Sequence, residues 1–119
     1  MRFENTEIET LKVEFNALEE VMKKHRMIRE GQWDYERVSY DHKFQVREGT
    51  YYLRIQGYAT EGDIGSRKAT IQLLTPILGK YYYPHGVEYG EDENFPKHLV
   101  EKCNKKLKDM KEDLAAIAL

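Results

Sequence analysis

The sequence predicts an α+β domain: an antiparallel meander of about four to five strands, two helices on one face, and the longer helix at the C-terminal end. Three observations carry this reading. Apolar and polar residues alternate through 38–59 on either side of a Glu48-Gly49 turn. Apolar residues recur at helical spacing after Asn16 and again from Val100 to Ile117. No Ser/Gly/Pro-rich linker divides the 119 residues, and the prolines fall only at 76, 84 and 96. A chain of this length suits one domain, 1–119, and buries roughly two thirds of the surface its unfolded form exposes.

The elements follow in order. Ile8 to Phe15 alternates and predicts a short strand. Asn16 can accept from a free N–H at a helix start, with Glu19 reaching back, so the first helix is expected over 17–26. Gly31 is its expected stop. Residues 32–47 predict a long strand. Trp33 and Tyr35 share one phase, while Val38, Tyr40, His42, Phe44 and Val46 share the other. The flip at Glu36-Arg37 requires a bulge, a bend or a break. Closing the hairpin at Glu48-Gly49 pairs Phe44 with Leu53 and Gly57 with Tyr40, and sets Lys43 against Arg54. That like-charge pair is the weak point of the register. Residues 68–74 form the next strand, with Ala69, Ile71 and Leu73 inward and Pro76 ending it. The opposite face carries Tyr52, Arg54, Gln56, Tyr58, Thr70 and Gln72. After Asn94-Phe95-Pro96, the stripe Val100, Cys103, Leu107, Met110, Leu114 and Ile117 has heptad steps. It reads as a core-facing helix, or more sharply as a helix that pairs with its mate in a homodimer. The core is expected to contain Leu11, Val13, Leu18, Val21, Met22, Phe44, Leu53, Ile55, Ile71, Leu73, Val100, Cys103, Leu107, Met110 and Leu114.

Composition narrows the function classes. Nineteen basic and 21 acidic residues give a net charge of −2, which disfavours nucleic acid and polybasic membrane anchoring. No run of about 18 apolar residues exists to span a bilayer. The start, Met1-Arg2-Phe3-Glu4-Asn5, is too polar for a secretory signal. Cys103 is the single cysteine, so no internal disulfide forms, and its place on the helical stripe predicts a buried, inert thiol. These features together predict a cytoplasmic protein.

Residues 78–91 stand apart, with four tyrosines, a histidine, a lysine, acids and three glycines and no clean period. Read as a loop, this is the best place for a site. His85, flanked by Pro84 and Gly86, could act as a general base oriented by Glu88 or Glu91. No nucleophile or phosphate-binding motif accompanies it. Metal-ligand spacing is also missing, so neither metal nor cofactor is expected. His25 and His42 read as hydrogen-bonded core residues. The candidate binding surface is Trp33, Tyr35, Arg54, Tyr82, Tyr83, His85, Glu88 and Tyr89.

Four segments together resemble the YugN-like family of small proteins from Bacillus-type bacteria: Gly31-Gln32-Trp33-Asp34-Tyr35-Glu36, Tyr51-Tyr52-Leu53-Arg54, Thr75-Pro76-Ile77-Leu78-Gly79, and the run from Tyr82 to Glu91. The resemblance implies a bacterial, cytoplasmic α+β domain. It implies no catalytic residue, cofactor or substrate, since the family is of unknown function. The expected function is therefore a non-enzymatic binding or protein-interaction domain, as a homodimer or with an unknown small ligand or protein partner. The rivals are a small hydrolase or isomerase using His85 with Glu88, and single-stranded nucleic-acid binding through Tyr52, Arg54 and Tyr58.

Overall fold

The structure, a computed structural model, describes residues 1–31, 34–66 (backbone only at 66), 68–90 and 94–119. A 3-10 turn at Ile8–Thr10 leads into β1 (Lys12–Glu14) and directly into α1 (Phe15–Lys24). Then come β2 (Ile28–Glu30), β3 (Arg37–Val46), β4 (Gly49–Glu61), β5 (Thr70–Leu73), β6 (Ile77–Tyr82), β7 (Gly86–Glu88) and α2 (Lys97–Ile117). The described strands form one antiparallel sheet in the order β1-β5-β4-β3-β2, with β6 between β4 and β7. No described helix is long and apolar enough to cross a membrane.

The α+β class and the long C-terminal helix are as predicted, while the sheet has seven strands. The additional ones are β2, whose three residues are all exposed, and the β6–β7 hairpin within the expected loop. β5 and β6 lie end to end along one edge of β4. Leu73 pairs with Gly57 and Ile77 with Arg54, and Leu74 N–H bonds Gln56 O between them. One extra residue enters at Thr75-Pro76. Pro76 stands in the break after β5, as expected, and the buried phase moves from Ile71 and Leu73 in β5 to Leu78 in β6.

The long hairpin forms with a corrected register. Val46 pairs with Gly49, Phe44 with Tyr51, His42 with Leu53 and Val38 with Gly57. The turn is Arg47-Glu48, two residues from the expected register, so every side chain keeps its expected face. Lys43 now lies opposite Tyr52, and Asp41 opposite Arg54. The phase flip before Arg37 is a break: β3 starts at Arg37, and Asp34 Oδ1 accepts from the N–H groups of Glu36 and Arg37. Trp33 lies outside the described residues.

Helix α1 starts two residues before the expected position because Phe15 N–H already bonds Ala69 O. Asn16 is therefore inside the helix, and Glu14 precedes it without a side-chain cap. The stop is Arg26, left-handed at φ 59°, with Met27 N–H reaching back to Met22 O. His42 Nδ1 bonds the Arg26 carbonyl at 3.0 Å. Gly31, also left-handed, follows β2 instead.

Both helices bury their apolar stripes against the inner face of the sheet. The stripe of α2 is Leu99, Cys103, Leu107, Met110 and Leu114, with Val100 and Ile117 half-buried. It packs inside the domain, so these side chains are not presented to a second copy. Burial pushes the Cys103 thiol up to about 12, so the thiolate is scarce at neutral pH. Most of the expected core is buried, while Leu11, Phe44 and Val100 are partly so. Phe3, Ile8, Phe15, Met27, Val38, Tyr40, Tyr51, Ile64, Ala69, Leu78 and Leu99 complete it.

Gly57 marks the tightest packing of the inner face. A Cβ there would lie 2.5 Å from Ile71 Cγ2 and 3.0 Å from the Gln72 carbonyl oxygen. Gly57→Ala should destabilise the fold by about 1–3 kcal/mol, read from the urea midpoint. The helices are also tied by His25 Nε2 to Asp113 Oδ2 at 2.6 Å and Lys24 to Asp113 at 3.0 Å. The His25 bond, then Lys24, lowers the Asp113 carboxyl below its ordinary value. Its contribution is present above that value and lost as pH falls through the lower folded one. Asp113→Asn should therefore be less stable than the parent at pH 6, and the difference should shrink below about pH 4. A pH series of urea melts reads this directly.

Candidate functional site

The pleat sends alternate residues of β4 to opposite faces. Tyr51, Leu53, Ile55 and Gly57 enter the core, while Tyr52, Arg54, Gln56 and Tyr58 face outward. Pairing places Arg37, Ser39, Asp41 and Lys43 of β3 beside them, and Ile77, Gly79 and Tyr81 of β6 on the other flank. Both helices occupy the inner face.

A charged pair is buried on this outer face. Arg54 donates through Nε to Asp41 Oδ1 at 2.7 Å and through Nη2 to Oδ2 at 2.8 Å. Asp41 is only 6% exposed. The cover is Tyr89, whose ring centroid lies 5.4 Å from the Arg54 guanidinium carbon. That ring can cross β6 because Gly79 has no side chain: a Cβ there would lie 2.5 Å from Val87 and 2.7 Å from Tyr89. Tyr52 and Tyr81 extend the aromatic cover as an edge-on pair at 6.5 Å. The Asp41 carboxylate holds the Arg54 pKa above its ordinary value. Burial pushes the Tyr89 phenol up to about 12, with Arg54 opposing. The Tyr89 hydroxyl is buried with no hydrogen-bond partner among the described residues.

Beyond this pair the face opens. Tyr58, 43% exposed, stands as a ridge between two hollows. One is about 820 Å³, bounded by Tyr35, Arg37, Ser39, Gln56 and Leu74. The other is about 560 Å³, bounded by Gln56, Gln72, Leu74, Ile77 and Arg2. This surface offers flat rings, amides and the guanidinium groups of Arg37 and Arg2. It holds no histidine or cysteine, and among the described residues no three His, Cys, Asp or Glu side chains gather as metal ligands.

The structure brings together part of the candidate surface. Arg54 and Tyr89 touch, and Tyr35, 57% exposed, borders the larger hollow of the same face. Tyr82 lies on the inner side of β6, where Lys80 Nζ sits 5.3 Å from its ring and 5.8 Å from that of Tyr51. Tyr83, 85% exposed, and His85 lie at the β6–β7 turn, and Glu88 pairs across the hairpin with Lys80. His85 makes no hydrogen bond or ion pair with another described residue, and it borders neither hollow. Asp41 was missed as a site residue because its role depends on the register; the Asp41/Arg54 charge complementarity was the available signal. Gly79, in a tyrosine-rich run, gave no sign of the ring above it.

The orphaned hydroxyl and the paired charges should respond in opposite senses. Tyr89→Phe removes a buried group without a partner and should leave stability unchanged or raise it by up to about 1 kcal/mol. Asp41→Ala strands the guanidinium under the ring and should cost about 2–4 kcal/mol. Urea denaturation of both variants checks the pair of outcomes.

The relatives are named as uncharacterized proteins. The chain is 50% identical over 119 residues to the uncharacterized protein YlbA of Bacillus subtilis (strain 168), covering 100% of this chain and 99% of that one. It is 31% identical over 71 residues to the uncharacterized protein YugN of the same organism, covering 60% and 53% respectively. The crystal structure of an uncharacterized conserved protein YugN from Geobacillus kaustophilus HTA426 superposes with a TM-score of 0.86 at 53% identity, covering 98% of this chain and 97% of that one. The model of the YugN-like family matches residues 4–114, and the chain belongs to that family.

Proposed function

We propose that this protein is a non-enzymatic interaction domain of the bacterial cytoplasm that forms a homodimer through the open face of its sheet. The observation that carries this is the chemistry of that face: exposed Tyr58, Tyr35, Ile28 and Leu74 surround a two-bonded Asp41–Arg54 pair whose acid is buried. Aromatic and arginine side chains around a water-poor centre are the usual anchors of protein interfaces.

A second copy is the partner because the face is self-complementary. Glu30 and Arg37 point outward from adjacent strands, and neither forms an ion pair with another described residue. A two-fold axis lying in the plane of the face between them sets each Arg37 against the partner's Glu30, as an isologous contact requires. The hydrolase reading gains nothing from the described geometry: exposed His85 makes no bond to Glu88, and Glu91 lies outside the described residues. Nucleic-acid stacking on the same rings is opposed by the neighbouring acids and by the net charge of −2.

The test is light scattering on a size-exclusion column, repeated by native mass spectrometry. The parent should run at twice the chain mass of 14.1 kDa. Arg37→Glu should weaken association by about tenfold or more, and the added change Glu30→Arg should restore it. A parent that stays monomeric up to about 1 mM would refute the reading. So would a dimer indifferent to Arg37→Glu and Tyr58→Glu.

A further inference from the structure

We propose that the cleft between the N-terminal segment and α2 binds a small organic anion, a single carboxylate or phosphate on an apolar body. The cleft encloses about 470 Å³, within the range of about 300–1,000 Å³ usual for small-molecule sites. It is separate from the open face of the sheet, and its argument does not depend on dimerisation.

The floor is apolar. Phe3 and Leu107 are 5% and 1% exposed and belong to the core, with Met1 beside them. The near wall is tied down: Phe3 N–H bonds Pro76 O, and Leu78 N–H bonds Met1 O. Thr6 Oγ accepts from Ile8 N–H and holds the following turn. The cleft is thus shaped before any ligand arrives, which reduces the ordering cost of binding.

The rim is cationic. Arg2 and Glu4 pair at 3.3 Å and cancel. Lys108 and Lys111 remain, from one side of α2. Lys111 reaches only Glu7, at 3.7 Å, and Glu7 lies outside the lining with its side chain 73% exposed. Lys108, Asn5 and Asn104 make no hydrogen bond or ion pair with another described residue. Two cations and two free amides therefore ring an apolar floor, in a chain whose net charge is −2. The amides and ammonium groups suit the oxygens of an anion. Phe3 and Leu107 close the base, and the part-exposed Met1 and the aliphatic stems of Lys108 and Lys111 gain cover only if that anion carries an apolar body. Inorganic phosphate alone leaves Met1 and the lysine stems wet.

The test is an NMR titration of the ¹⁵N-labelled protein with phenyl phosphate and benzoate, against benzamidine as the cation of similar shape and against inorganic phosphate. Both aryl anions should shift the amide signals of Asn5, Asn104, Lys108 and Lys111, with a dissociation constant on the order of 1 mM. Benzamidine should leave those signals in place, and inorganic phosphate should bind about tenfold more weakly or worse. The Lys108→Glu/Lys111→Glu variant should lose about tenfold or more in affinity while signals elsewhere stay put. Lys108→Gln/Lys111→Gln should move the same way if the charge reversal disturbs folding. Equal binding of benzamidine would leave a merely apolar hollow. Equal binding of inorganic phosphate, shifts scattered over other lysines, or no saturation by about 20 mM would each overturn the proposal.

Discussion

The rest of the molecule depends on the pleat of β4. One edge of this strand is paired along ten residues by β3, and the other is shared end to end by β5 and β6. Its side chains can therefore only alternate. The odd positions from Tyr51 to Gly57 are closed off under the helices, and the even positions are left on the open face. A one-residue slip would carry Leu53 and Ile55 into water and drive Arg54 into the core, so the register is held by a large burial term. The inner packing of the helices and the outer placement of Arg54 are two consequences of the same constraint.

Burial alone does not choose between registers two residues apart, because both keep every side chain on its face. Polar pairs and the turn decide that choice. The alternative register opposes Lys43 to Arg54 on adjacent strands, a repulsive contact. The observed one opposes Asp41 to Arg54 and closes two charge-assisted hydrogen bonds. A buried ion pair does little for net stability, since desolvation offsets most of the attraction. Its larger effect here is selective: it separates two arrangements that the hydrophobic core would accept equally. The Tyr89 ring partly covers the pair, and it can lie there only because Gly79 has no side chain.

What was legible in the sequence follows from the same reasoning. The α2 stripe and the faces of the β3–β4 hairpin were readable, because apolar periodicity reports which side is buried. The hairpin register was not, because Glu48-Gly49 and Arg47-Glu48 are both plausible turns. The β6 strand was hidden because its inward positions include Lys80, whose ammonium sits between two tyrosine rings, and Tyr82. A buried-side lysine erases the alternation a reader looks for. β2 was hidden for the opposite reason: Ile28, Arg29 and Glu30 are all exposed, and the strand exists through its pairing with β3. The candidate site was half legible. Arg54 and Tyr89 were named, but the pairing that joins them to Asp41 is a tertiary fact.

The two proposed recognition zones differ in the physics available to each. On the open face, Arg37 and Glu30 balance and Arg54 is neutralised by Asp41, so long-range attraction is weak and specificity must come from shape and register of contact. In the cleft at α2, Lys108 has no acid partner among the described residues and Lys111 meets only exposed Glu7 at 3.7 Å, so charge is the means of selection available there. A neutral face with aromatic anchors suits a macromolecular surface that brings its own complementary area. A small cationic hollow over Phe3 and Leu107 suits a ligand too small to bury such a face. Arg2 is the one residue that borders both linings, and Glu4 holds it in an ion pair at 3.3 Å.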